Sequence, residues 1–166
     1  LFIDKKFLIK NLNTKTYIFV NCTNSENSLD YEKLGSKLYL FLKDNKIDTS
    51  FIDSNKNSLT NIQLEKLLHG AQLKSYDFNI YKSDSKKNLN IILNIIENKN
   101  KKTNLIRNKL SALLDGVFLA RDLVSEPGNI LHPDEYAKRI SSLKKYGLKI
   151  NIYDKNKLKK LGMDAL

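Results

Sequence analysis

The sequence is short of the residues that most often announce a function. It has one Cys, no Trp, two Pro, six Gly and three Arg in 166 residues. The single Cys22 excludes an internal disulfide framework. A chain of this length buries roughly two thirds of the surface its unfolded form exposes, so it needs no such staple. Long apolar runs are absent too. Runs such as Ile91 to Ile96, interrupted by Asn94, fall far short of a bilayer span. Leu1 to Lys10 lacks the charged start and apolar core of a secretion signal.

What is abundant is lysine. The net charge is +11, yet only Arg107, Arg121 and Arg139 among the 29 basic residues are Arg, and the chain is rich in Asn and Ile. Proteins that read bases and phosphates lean on the bidentate guanidinium fork. A Lys, Asn and Ile surplus with little Arg or Gly fits A/T-rich codon usage, and the excess is spread over both ends of the chain. Charge alone therefore makes nucleic acid a possible partner without favouring it.

The pattern of apolar residues predicts alternating strands and helices. Thr16 to Val20 reads as a strand followed by a polar loop, Asn21 to Ser28, and Leu29 to Asp44 as a helix with Ser28 as N-cap. Thr49 to Ile52 is a second strand. Thr60 and Gln63 have capping-box spacing ahead of a helix with Leu64, Leu67, Leu68 and Ala71 on one stripe, and Leu89 to Ile95 is a third apolar run. These spacings imply βαβ crossovers, hence an α/β fold with a mixed, largely parallel sheet flanked by helices.

Ile106, Leu110, Leu113, Val117, Ala120 and Val124 recur at steps of four and three, predicting a long helix over Thr103 to Val124. A break with Pro127 and Gly128 follows. Pro133 then takes a first helical position, Asp134 and Glu135 fill the first turn, Lys144 and Lys145 the last, and Gly147 the stop. Lys149 to Tyr153 reads as a strand and Lys155 to Leu161 as a short helix ended by Gly162. The expected organisation is an N-terminal domain over 1–102 that lacks its first strands, a linker helix over 103–124, and the truncated start of a second α/β domain over 125–166. A domain with one strand and one further helix leaves strand edges uncovered, so the chain is expected to be cut from a longer protein.

Catalytic constellations are scarce. His69 and His132 have no Cys or second His at ligand spacing; the former is expected on a helix surface, the latter at an N-cap. Cys22, just after a strand, reads as a buried structural thiol. Asp30, Asp44, Asp53, Asp115 and Asp122 read as caps and solvated faces, and Lys99, Lys101 and Lys102 as a solvated turn. The turn after the first predicted strand, Asn21 to Ser28, has no Gly and makes a poor phosphate cradle. The sequence contains no GxSxG, Walker A, GxGxxG or HExxH motif.

Three ordered segments nevertheless carry a resemblance. GVFLARDLVSEPGNILHP (116–133), LHGAQLKSYDFNIYK (68–82) and KKLGMDAL (159–166) resemble, in order and spacing, the junction and flanking segments of the leucyl (cytosol) aminopeptidase family. The resemblance implies a macro-like N-terminal domain, a linker helix and the start of a metallopeptidase catalytic domain. The whole protein would be a cytoplasmic homohexamer that removes N-terminal, leucine-type residues from peptides by two-metal hydrolysis, with Zn or Mn. This segment would support domain orientation and assembly. The family's metal-binding and catalytic residues lie beyond the stretch matching Gly162 to Leu166. The resemblance therefore implies no catalytic, cofactor-binding or metal-ligating residue in this chain. His132 stands where Thr is usual before Pro133, removing a better N-cap at a cost of about 1 kcal/mol. Asn21, Cys22, Thr23 and Asn24 replace a Gly-rich turn, against macro-type nucleotide binding. The alternative function is a non-catalytic basic α/β module that binds nucleic acid, with no membrane partner in either case.

Overall fold

The computed structural model describes residues 6–22, 27–53, 58–83, 90–96 and 101–163. These form two compact units, Leu1–Phe118 and Leu119–Leu166.

The first unit opens with a hairpin of β1 (Phe7–Leu12) and β2 (Lys15–Val20), paired antiparallel from Phe7 opposite Val20 to Leu12 opposite Lys15. Asn13 enters the two-residue turn at φ 54, a left-handed conformation that Asn tolerates better than most residues with a Cβ. β1 was not anticipated; its signal is the apolar run Phe7–Ile9 ahead of a turn-forming Asn. Helix α1 (Ser28–Asp44) starts one residue ahead of expectation. Its N-cap is Asn27, which accepts from the Asp30 amide while the Asp30 carboxylate accepts from the Asn27 amide, so Ser28 is the first helical residue.

Strand β3 (Thr49–Asp53) leads into α2 (Asn61–Ser75) and returns as β4 (Ile92–Ile96), parallel to β3 with Thr49 opposite Ile92. This is the expected βαβ crossover. Among the described residues parallel pairing is confined to it, and the other pair is the antiparallel hairpin. The residues at Leu89, where the apolar run was expected to begin, lie outside the described residues. Thr60 caps α2 as its spacing predicted: its hydroxyl accepts from the Gln63 amide, and the Gln63 side chain accepts from the Thr60 amide. Thr60→Ala is expected to cost about 1 kcal/mol in a urea titration followed by circular dichroism. An unchanged midpoint would show the box to be dispensable.

The core is Leu34, Leu38 and Leu42 of α1 with Leu67 of α2, onto which Phe7, Ile18, Ile52 and Leu93 pack from both strand pairs. The helices cross at two glycines. A Cβ on Gly35 would fall inside the Leu67 carbonyl, and one on Gly70 inside the Glu32 carbonyl. Helix α3 (Lys101–Ser125) begins earlier than its apolar spacing suggested, so Lys101 and Lys102 form its first turn instead of a loop. It lies along α2 through an Asn61–Thr103 hydrogen bond of 3.0 Å and a tilted Tyr76–Phe118 ring contact at 5.2 Å.

The second unit takes in the end of α3, from Leu119. Residues 126–131 make a tight turn in which Ile130 and Leu131 both donate to the Pro127 carbonyl. Helix α4 (Pro133–Ser141) begins with Pro133 as expected, and a 3-10 turn (Ser142–Tyr146) stops at Gly147, whose φ of 86 suits a residue without a Cβ. The expected strand at Lys149 to Tyr153 is not formed: the segment carries no regular secondary structure, since a strand needs a paired neighbour and none of the described strands pairs with it. Helix α5 (Lys155–Lys160) is capped by Asp154, whose carboxylate accepts from the Lys157 amide, and the chain turns at Gly162.

Candidate functional site

Polar chemistry among the described residues gathers at three places. On α2 the carboxylate of Glu65 is 3% exposed and receives Arg107 of α3 as a fork, with contacts of 2.6 and 3.2 Å. Near the α1–α2 crossing Glu32 takes the Lys66 ammonium at 2.8 Å. His69 Nδ1 sits 3.4 Å from the same carboxylate, and neither ring nitrogen makes a hydrogen bond among the described residues. At the turn into α4, Arg139 donates to Glu126 at 2.8 Å and to Glu135 at 3.1 Å.

His69 is the clearest departure from expectation. It was placed on a helix surface, and it is 3% exposed. The reason is that α2 buries most of its circumference, with seven of the eight positions from Leu64 to Ala71 buried. It lies between α1 on one side and α3 on the other, so a single apolar stripe misjudges its inward faces. The mid-helix Gly70 was the available signal, since a glycine there costs helix propensity unless another backbone comes close.

The other singled-out residues are less surprising. His132 is the N-cap of α4, without a side-chain cap bond, as its identity in place of Thr implied. Cys22 is half-buried against the core; burial pushes its thiol above the ordinary range, and Lys6 opposes this. That favours a protonated, structural thiol over a nucleophile. Asp30 caps α1, Asp44 and Asp115 are exposed, and Asp53 and Asp122 are half-buried. Lys99, Thr23 and Asn24 lie outside the described residues.

Two of the three arginines thus hold buried carboxylates, which the composition could not reveal. Glu126 is the Glu of the Ser-Glu-Pro-Gly run, its side chain only 5% exposed. Arg139 reaches it from one turn beyond Glu135, so the guanidinium fastens the turn after α3 to the first turn of α4. The hydrogen bond from Arg139 is the main reason Glu135 titrates below its ordinary value of 4.5; desolvation opposes it and the nearby Lys138 charge assists. A carboxylate with a depressed value in the fold stabilises it above the unfolded value, and that stabilisation is lost as pH falls through the folded value. Circular dichroism of Glu135→Gln should therefore show less helix than wild type at neutral pH and converge with it in acid. A gap independent of pH would count against the clamp.

Among the described residues no three His, Cys, Asp or Glu side chains could together hold a metal ion. The acidic groups that do cluster are engaged by Lys66, Arg107 and Arg139. The residues described do not fit a two-metal centre, and no catalytic step is assigned to them. No helix among them is long and apolar enough to cross a membrane.

The fold and this junction define an α/β chain in which a long helix runs into a Glu-Pro-Gly turn clamped by arginine to a proline-started helix. Residues 118–166 match the family model described as the catalytic domain of the cytosol aminopeptidase family. A probable cytosol aminopeptidase of Phytoplasma mali is 38% identical over 121 residues, covering 70% of this chain and 24% of that protein. One from a Bradyrhizobium species is 57% identical over 56 residues, 34% of this chain and 11% of that protein. Among solved structures, a tomato leucine aminopeptidase mutant superposes with a TM-score of 0.75 at 20% identity, covering 94% of this chain and 33% of that one. The bottromycin maturation enzyme BotP, in complex with Mn, gives 0.70 at 18%, covering 94% and 34%. The chain is similar to cytosol aminopeptidases and spans about a quarter of the length, or less, of the curated relatives it matches.

Proposed function

We propose that this chain works as the N-terminal part of a metal-dependent aminopeptidase that removes leucine-type residues from the free amino end of peptides. The observation that carries the reading is the match of residues 118–166 to the catalytic domain of that family. In this reading residues 1–102 are a non-catalytic domain, 103–124 a linker helix and 125–166 the start of the catalytic domain. The chain's own residues orient and support. Glu65 and Arg107 fix α3 on α2, and Glu126, Arg139 and Glu135 fix the course of the chain from α3 into α4. Peptides are the substrates, two divalent ions such as Zn or Mn belong to the whole enzyme, and copies assemble as a homohexamer in the cytoplasm.

The test is hydrolysis of a leucine anilide by the polypeptide that carries this chain together with a complete catalytic domain. Activity should vanish on chelation and return with Mn or Zn, while the 166-residue chain alone shows none. Absence of metal-dependent release from any peptide with a free amino end overturns the reading. Sedimentation of the same polypeptide as a monomer removes the assembly part.

A further inference from the structure

Lysine is in excess at both ends of the chain, but in the second unit it is concentrated and unanswered. Residues 144–160 hold seven Lys and one Asp, so +6 of the net +11 lies in about a tenth of the sequence, leaving 22 basic against 17 acidic residues elsewhere. All seven lysines are exposed, and among the described residues none of them forms an ion pair. Asp154 is taken up as the cap of α5, where it accepts from the Lys157 amide at 2.8 Å. The unit's other described carboxylates, Asp122, Glu126, Asp134 and Glu135, precede the segment, and Arg139 holds Glu126 and Glu135.

Part of this pattern is ordinary. Lys157, Lys159 and Lys160 stand in the last turn of α5, where a cation suits the helix dipole. Lys155 stands in the first turn, where the dipole disfavours it, and it repels Lys159 one turn on, as Lys157 repels Lys160. A six-residue helix carrying that repulsion gains from a counter-charge outside the chain. Two rings are set among the cations. Tyr146 is 71% exposed with Lys145 Nζ 4.9 Å from its ring centre, and Tyr153 is 44% exposed with Lys157 Nζ at 4.6 Å.

We infer that residues 144–160 form a surface that binds single-stranded nucleic acid without reading its sequence. Ammonium groups are point charges suited to phosphates along a backbone, and the segment has no Arg to grip a base edge with a fork. Exposed rings among the cations are stacking surfaces for bases that a duplex keeps inside. An anionic membrane fits less well, because α5 has Leu158 as its one apolar side chain and so no face to insert. The inference does not depend on peptidase activity.

The test is fluorescence anisotropy of a labelled oligo-dT of about 20 nucleotides with the 166-residue chain, from about 50 to about 200 mM salt. Contacts to about four phosphates weaken binding about 50-fold over that range. Lys155→Gln with Lys159→Gln removes two contacts and should cut the loss to about sevenfold. Lys33→Gln with Lys37→Gln takes the same charge from exposed positions of α1 and should leave the salt dependence as in wild type. Tyr146→Ala should weaken binding about fivefold or more with the salt dependence unchanged. No binding at the lowest salt overturns the inference, and so does an equal effect of the two lysine pairs, since the charge would then act as a whole. Sedimentation with phosphatidylcholine–phosphatidylserine vesicles but no binding of oligo-dT assigns the surface to a membrane and overturns it as well. A duplex of the same length bound more tightly than oligo-dT, with Tyr146→Ala neutral, would refute the preference for single strands.

Discussion

Gly70→Ala is expected to destabilise the first unit by about 2 kcal/mol or more, although alanine is the better helix former. Two effects compete. A mid-helix Gly to Ala change gains about 1 kcal/mol of propensity. Against it, the new methyl at position 70 would lie inside the carbonyl of Glu32, an atom of the α1 backbone. Overpacking costs typically 1–3 kcal/mol when side chains can turn aside, and more when they cannot. Here the neighbour is a helix backbone, so the whole crossing has to open, and the Leu34, Leu38, Leu42 and Leu67 core opens with it. Gly35→Ala meets the Leu67 carbonyl in the same way. The measurement is a urea midpoint, expected to fall by about 1 M or more. Gly116→Ala on α3 is the control. Its Cβ would meet nothing within 4 Å, so the propensity gain should appear alone and the midpoint should rise. Two changes of the same chemical kind would thus move in opposite directions, and a rise for Gly70→Ala would refute the close crossing.

Arg107→Met is expected to cost about 3 kcal/mol. Glu65 is 3% exposed and its carboxylate is held by the Arg107 fork, so removing the guanidinium leaves a buried charge without that partner. Breaking a buried pair from one side costs about 3–5 kcal/mol. The lower end applies because Arg107 itself is 36% exposed and water screens the pair from that direction. The double change Glu65→Gln with Arg107→Met should recover much of the loss, since no buried charge then remains. Urea titrations of the wild type, both single variants and the double variant close the cycle. A single Arg107→Met variant as stable as wild type would mean that the pair is ornamental.

Both predictions concern positions that a sequence reading passes over, and for related reasons. The spacing of Thr60 and Gln63 specified the α2 cap, and the β-branched runs at Thr16 and Thr49 specified strands, because those preferences act over a few residues. The family segments were equally legible, since they are local strings at 116–133 and elsewhere. Glu65 and Arg107 are 42 residues apart, and Glu126 and Arg139 are 13 apart across a turn. No local preference links such partners, so nothing in the sequence marks either pair. His69 was misjudged because an apolar stripe describes a helix with one covered side, and α2 has two. The strand expected at Lys149 to Tyr153 shows the opposite failure. Its residues have strand character, but a strand is completed by a neighbour.

The sequence by itself determined the α/β class, the helix starts at Thr60 and Pro133, the long helix and the resemblance to the cytosol aminopeptidases. Tertiary structure alone decided which charges are buried, where α1 and α2 touch through Gly35 and Gly70, and how Arg139 closes the turn into α4. Caps and periodicities are energies between near neighbours in the chain. A buried ion pair or a backbone crossing depends on which distant segments share the same few ångströms, and that is fixed only when the core forms.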